Sequence, residues 1–230
     1  MTKYVLLAIA LGAVALFAIV TLWTKVSAAR RERHIRTFQL PRGLFHKLGE
    51  RRPEVDPKYH ALVAQALRQY FLCHLSSGMK FVSMPSKVVD DLWHEFILYT
   101  REYHAFCKAA FGGYMHHVPA AVLSHGQNDD TGLRRTWHYA CREENINPAA
   151  PARVPLLFAI DGKLGVADGF RYVANCGPTV GDGVRNVHCG AELGERTAGD
   201  GVDGGDFSIG GDSGGDSGCG GGGCGGGGGD

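Results

Sequence analysis

After Arg196 the sequence contains no lysine or arginine, and nowhere does it alternate cleanly between apolar and polar residues. The first absence strips the glycine-rich C-terminus of the cations that hold phosphate, so nucleic acid is not an expected partner. The second leaves little from which to build half-buried strands. Catalytic signatures are missing too: there is no P-loop lysine, no GxSxG elbow and no dinucleotide-binding glycine fingerprint beside a strand. His94-Glu95 is followed by leucine at position 98, where a zinc-protease helix needs its second histidine.

What is present is unevenly distributed. The formal net charge is only +1, yet basic residues crowd the first third. Of the 34 glycines, 18 fall between Gly199 and Asp230. That stretch holds too few apolar residues to offset the entropy of ordering glycine, and it reads as a disordered tail. Its aspartates at 200, 203, 206, 212 and 216 are too irregularly spaced for a calcium-binding repeat and read as a solvated acidic linker. The seven cysteines are an odd set, and Cys73, Cys107 and Cys141 lie within helical patterns as small buried hydrophobes. Reduced thiols in a reducing compartment follow from that placement. Cys219 and Cys224 read as exposed thiols on a mobile arm, with a lipidation, redox or metal handle as the alternative.

Tyr4 to Trp23 run twenty residues without a charge. At about 1.5 Å per residue this matches the roughly 30 Å hydrocarbon core of a bilayer, with aromatic rings at both interfaces. A cleaved signal peptide is the rival, but its apolar region is ordinarily shorter, about 7–15 residues. Lys3 alone precedes the span, whereas Lys25, Arg30, Arg31, Arg33 and Arg36 follow it. The positive-inside rule then places the C-terminal side in the cytoplasm, with the basic flank on anionic headgroups. The expected location is the cell membrane, crossed once.

The organisation that follows is an anchor over 1–28, a basic juxtamembrane entry segment over 29–55, a helical domain over 56–175 and a cysteine-containing, glycine-rich tail over 176–230. Asp56-Pro57 starts a helix whose apolar residues run from Tyr59 to His74, and Gly78 ends it. Ser86 caps a second helix with Val88, Val89, Leu92, Trp93 and Phe96 on its stripe, and Thr100 a third that Gly112-Gly113 closes. A fourth begins at Asp129 or Asp130, and residues 155–164 suggest a short fifth. The fold class is therefore mainly α: one N-terminal transmembrane helix, a small bundle of about five helices and a disordered tail.

The stretch from Pro85 to Pro119 carries the chemistry. Asp90, Trp93-His94, Ile97-Leu98, Thr100, Tyr103, Phe106-Cys107, Phe111-Gly112, His116-His117 and Pro119 resemble the motif of the glycine-rich domain-containing-protein-like family. That family occurs in bacteria and, in longer forms, in plants and fungi. The likeness covers about 56–175 and is dense in 85–119; it implies no particular reaction.

Asp90, His94, His116 and His117 are plausible ligands for a transition metal such as zinc. At helical spacing His94 falls one turn after Asp90 and off the apolar stripe, so Asp90 can accept its ring N–H. The preferred reading is structural: a His–Asp hydrogen bond that pins this helix to the loop around His116-His117. The functional reading to match is a membrane-tethered cytoplasmic interaction module, whose partners are the lipid bilayer and a protein of unknown identity. A metal-binding protein or metalloenzyme centred on His94 and His117 is the alternative, and whether the chain is an enzyme stays open. An envelope-facing protein with a cleaved leader is a third reading.

The topology is directly testable. A membrane-impermeant thiol reagent applied to intact cells should leave Cys219 and Cys224 unlabelled until the membrane is opened, whereas ready labelling would reverse the orientation.

Overall fold

The structure is a computed structural model that describes residues 2–117, 130–176 and 187–199. It is mainly helical, and its first element is a long apolar helix. Helix α1 spans Thr2–Thr37 and is long and apolar enough to cross a membrane. Tyr4, Leu7 and its apolar side chains from Ile9 to Trp23 are largely exposed, while Ile35 near its C-terminal end is fully buried. One continuous helix therefore leaves the apolar segment and enters the core of the domain.

Among the described residues seven helices follow: α2 (Arg42–Arg51), α3 (His60–Ser76), α4 (Lys87–Leu98), α5 (Thr100–Phe111), α6 (Thr131–Glu143), α7 (Leu156–Leu164) and α8 (Gly190–Gly199). A 3-10 turn, Pro57–Tyr59, leads into α3. Two three-residue strands, β1 (Arg171–Val173) and β2 (Val187–Cys189), pair in parallel with Val173 opposite Cys189. The five helices read from the sequence correspond to α3–α7, and α2 and α8 flank them.

Helix α2 forms in a stretch rich in breakers because each breaker suits its place. Pro41 occupies the N-cap, where its missing N–H costs nothing, and Pro53 lies beyond the last turn. Gly43 is required by close approach, since a Cβ there would overlap the Tyr99 hydroxyl. Leu44 and Leu48, one turn apart, are fully buried. The core thus takes in Ile35, Leu44 and Leu48 on one side of residues 56–175, and Cys189 and Leu193 on the other. In α8, a Cβ on Gly190 would strike the Trp137 indole, so α8 packs closely on α6. Within the glycine-rich tail expected over 176–230, residues 187–199 form β2 and α8, whereas residues 200–230, with Cys219 and Cys224, lie outside the described residues.

Helix α3 is central and contacts α1, α4, α6 and α7. Asp56 begins its entry, accepting the Lys58 N–H at 2.9 Å. Gly78 (φ +70°) and Met79 (φ +62°) then turn the chain sharply beyond its end. Ser86 caps α4 as expected, accepting the Val89 N–H at 3.2 Å. Thr100 makes no side-chain cap: Tyr99 holds the N-cap of α5, and Thr100 is its first helical residue.

Two buried polar residues join the helices. Gln69 of α3 donates to Glu143 and Glu144 at 2.9 Å each and accepts the Leu157 N–H at 2.8 Å, tying the end of α6 to the start of α7. Burial raises the Glu144 carboxyl, but the Leu156 N–H, Gln69 and Arg153 together hold it below its ordinary value. Asp161 of α7, 1% exposed, accepts from Ser86 Oγ (2.7 Å), Lys87 N (2.8 Å), Val88 N (3.2 Å) and Phe170 N (3.0 Å). It meets the free N–H groups and positive dipole end of α4 where that helix begins.

Each donor orphaned inside a protein costs about 1–3 kcal/mol, so Asp161→Ala should lower stability by about 3 kcal/mol or more in urea unfolding. Asp161→Asn keeps one acceptor and should lose clearly less. Equal, small losses for both variants would show that this carboxylate does not organise the domain.

Candidate metal centre and adjoining cavity

Asp90 and His94 occupy consecutive turns of α4, whose start is fixed by Ser86 and Asp161. His117 arrives from the segment after α5, which ends at Gly112 in the left-handed region (φ +83°). A buried relay fixes that segment. Trp93 Nε1 donates to the Tyr103 hydroxyl at 3.1 Å, and this hydroxyl donates to the Met115 carbonyl at 2.6 Å. Burial pushes the Tyr103 phenol well above its ordinary pKa, which keeps it a donor. His117 then sits between two rings, 4.7 Å from Trp93 and 4.2 Å from His94, centroid to centroid.

The Asp90 carboxylate goes to His117, whose Nε2 donates to Oδ1 at 3.0 Å. His94 takes a different partner from the one its spacing suggests. Its Nδ1 lies 2.8 Å from the carbonyl oxygen of Asp90 and 3.6 Å from Oδ2. The ring N–H therefore bonds the helix backbone, because a carbonyl one turn back is nearer than a carboxylate already held by His117. Donor atoms of Asp90, His94 and His117 all lie within 4.8 Å of one another. His116, the fourth candidate, is exposed and turns toward Tyr114 (4.8 Å) rather than into this group.

Donors around a tetrahedral zinc, each about 2.0–2.1 Å from the ion, stand about 3.3 Å apart. Here His94 Nδ1 lies 3.6 Å from Asp90 Oδ2 and His117 Nε2 lies 3.0 Å from Oδ1, in a donor group contained within 4.8 Å. Seating one divalent ion would draw the three side chains together and free the His94 N–H from the Asp90 carbonyl. His117 is the least exposed of the three, its side chain at 16%, and His94 the most at 40%.

Asp90 and His117 also form part of the wall of a cavity of about 410 Å³. Met79, Phe81, Phe111, Tyr114 and Met115 give it an apolar part, and His74, Lys87 and His116 add polar groups beside Asp90 and His117. Tyr70 secures the far wall by donating to the Val82 carbonyl at 3.0 Å. Three ligands with a cavity on one side describe a site that can keep a coordination position open. The sequence motif pointed to Asp90 and His117 but not to the cavity, whose lining residues Met79 and Phe81 lie in a turn without helical periodicity. The only available signal was two large apolar residues just after a helix-ending glycine.

Cys107 does not join the group. It is fully buried, and burial raises its thiol. Cys141 is pushed up to about 12 by burial as well. Both fit the packing role expected of cysteines on apolar helix faces.

A family model matches residues 30–193. The chain belongs to the UCP032817-like family. The match begins inside α1 and ends inside α8, so it takes in the docked end of α1, α2 and the β2–α8 segment with the central helices. The family is uncharacterised, and it therefore brings boundaries but no reaction. No curated protein and no solved structure matches the chain.

A double-mutant cycle separates the two histidines. Asp90→Ala and His117→Ala should couple by about 0.5–1.5 kcal/mol, since each removes the same hydrogen bond. Asp90→Ala and His94→Ala should be additive, because alanine keeps the backbone carbonyl that His94 uses. Trp93→Ala should cost about 3–5 kcal/mol, as the loss of a large buried ring. Coupling confined to the His94 pair would contradict this arrangement.

Proposed function

We propose that this chain is a single-pass membrane protein whose cytoplasmic domain binds a divalent transition ion, zinc being the best match, through Asp90, His94 and His117. The observation that supports it is the convergence of these donor atoms within 4.8 Å beside a cavity. Two neutral imidazoles and a carboxylate suit zinc, and such a set leaves a fourth position for water or another ligand. Length and composition of α1 support the membrane tether, and the basic flank after Trp23 supports the cytoplasmic orientation. The motif over 85–119 and the C-terminal composition support placement among the bacterial, membrane-anchored relatives of the glycine-rich domain proteins.

A metal-free interaction module is the second reading, favoured by the Asp90–His117 hydrogen bond, which pins α4 to the segment after α5 without any ion. Full-length protein purified without affinity chelators distinguishes the two. The metal reading expects near-stoichiometric zinc by elemental analysis, abolished by Asp90→Ala or His117→Ala. It also expects a chelator to lower the melting temperature of wild type and leave those variants unmoved, since an ion that binds only the folded state stabilises it. Wild type that carries no ion and takes up none from micromolar zinc would leave the hydrogen-bonded pin as the role of these residues.

A further inference from the structure

Outside α1, the large apolar side chains left in solvent among the described residues are Tyr59, Met79, Phe81, Leu98 and Tyr114. Three of the five, Met79, Phe81 and Tyr114, line the one cavity described above. Lys80, between two of them, is also exposed. Exposed aromatic and apolar residues interleaved with lysine are the residue types of a membrane interface.

The packing of α1 fixes where this rim lies. Phe106 of α5 stacks near His34 of α1 and Phe38 just beyond its end, at 5.6 and 4.8 Å. Six residues on, a Cβ at Gly112 would lie 3.0 Å from the Arg31 guanidinium. Helix α5 therefore runs back along α1 toward its apolar half. Helix α3 does the same: Arg68 reaches the Phe38 carbonyl at 3.0 Å, and His74 lies against Phe111 at 4.9 Å. Both helices end, and the turns holding Met79, Phe81 and Tyr114 begin, near the level of Arg30 and Arg31. Arg31 is eight residues past Trp23, about 12 Å along the helix. The headgroup layer occupies about 5–8 Å of that distance. The cavity mouth consequently faces the bilayer at close range.

We infer that this cavity takes the acyl chain of a phospholipid from the membrane that α1 crosses. Its volume of about 410 Å³ lies within the ~300–1,000 Å³ range of small-molecule sites. Met79 and Met115 supply the flexible thioethers that adapt to an irregular apolar chain. Phe111, Trp93 and Lys87 line it, and the Arg31 guanidinium lies against Gly112, between the lining residues Phe111 and Gly113, where it can hold a phosphate in the headgroup layer. The inference rests on the membrane tether proposed above; because Asp90 and His117 share this wall, a bound chain would lie beside the donor group.

Full-length protein in vesicles of phosphatidylcholine and phosphatidylglycerol, doped with a phospholipid bearing a diazirine on its acyl chain, tests it. After irradiation and peptide mapping, label should appear in α1 and in two further segments, residues 79–84 and 111–115. Met79→Asp with Phe81→Asp should remove most of the label from those two segments and leave that in α1, because a charged rim resists apolar insertion. Leu98→Asp, which changes an exposed apolar residue at the other end of α4, should change neither. Label confined to α1 overturns the lipid site and leaves the tether standing, whereas no label in α1 overturns both. Label in 79–84 and 111–115 from a water-soluble fatty-acid probe, but not from the phospholipid, would assign the cavity to a soluble ligand and also overturn the inference.

Discussion

A buried carboxylate at the start of α4 is the constraint on which the rest of the domain depends. Asp161 accepts four hydrogen bonds there, three from backbone N–H groups and one from the Ser86 hydroxyl. A charge that is 1% exposed is stable only when its lone pairs are filled, so its partners cannot drift independently. Because Ser86 both caps α4 and donates to Asp161, the first turn of α4 is held from two directions. Asp90 lies on that turn, and the donor group it forms with His94 and His117 inherits its position from this capping. The Trp93–Tyr103–Met115 relay carries the same register into the segment that presents His117.

A second polar network ties α1 to this frame. Arg36 donates to Glu143 at 2.8 Å, Glu143 accepts from Gln69, and Gln69 accepts from Leu157 at the head of α7. Arg68 meets the carbonyl that follows α1, where the negative end of a helix dipole favours a cation. Arg68 has no carboxylate at this contact, and burial lowers its pKa accordingly. Docking of α1 is thus partly polar and partly apolar, through Ile35 and the Phe38–Phe96–Phe106 ring cluster.

The apolar helix was legible from its uninterrupted apolar run, and α3–α7 because each couples a periodic stripe to a local stop, such as Gly78, Gly112 or the proline at 148. Helix α2 was hidden by Gly43 and Gly49, which read as breakers, although Gly43 serves as a point of close packing against Tyr99. Helix α8 was hidden by its place in a glycine-rich context, although Gly190 is required by the Trp137 indole. In the site, residue types and approximate location were legible, since Asp90 and His117 stand in a dense motif. The partners were not. Whether a carboxylate meets the histidine one turn away or one 27 residues away depends on how α5 folds back. No spacing within α4 contains that information. Likewise, the cavity arises from the meeting of two turns, each of which looks like ordinary loop alone.

From Ala13 to Leu40 the chain contains neither glycine nor proline, and α1 runs through nearly all of that stretch without a break. Helices kink at identifiable places, and this one offers none between the apolar segment and the core. The domain is therefore mounted on a stiff shaft, where a linker would let it swing. On the proposed membrane tether, any change in the angle at which the shaft stands, from a thicker bilayer or a neighbouring helix, becomes an equal rotation of the domain. Bilayer thickness would then act as leverage, bringing one edge of the domain down to the surface and lifting the opposite edge away.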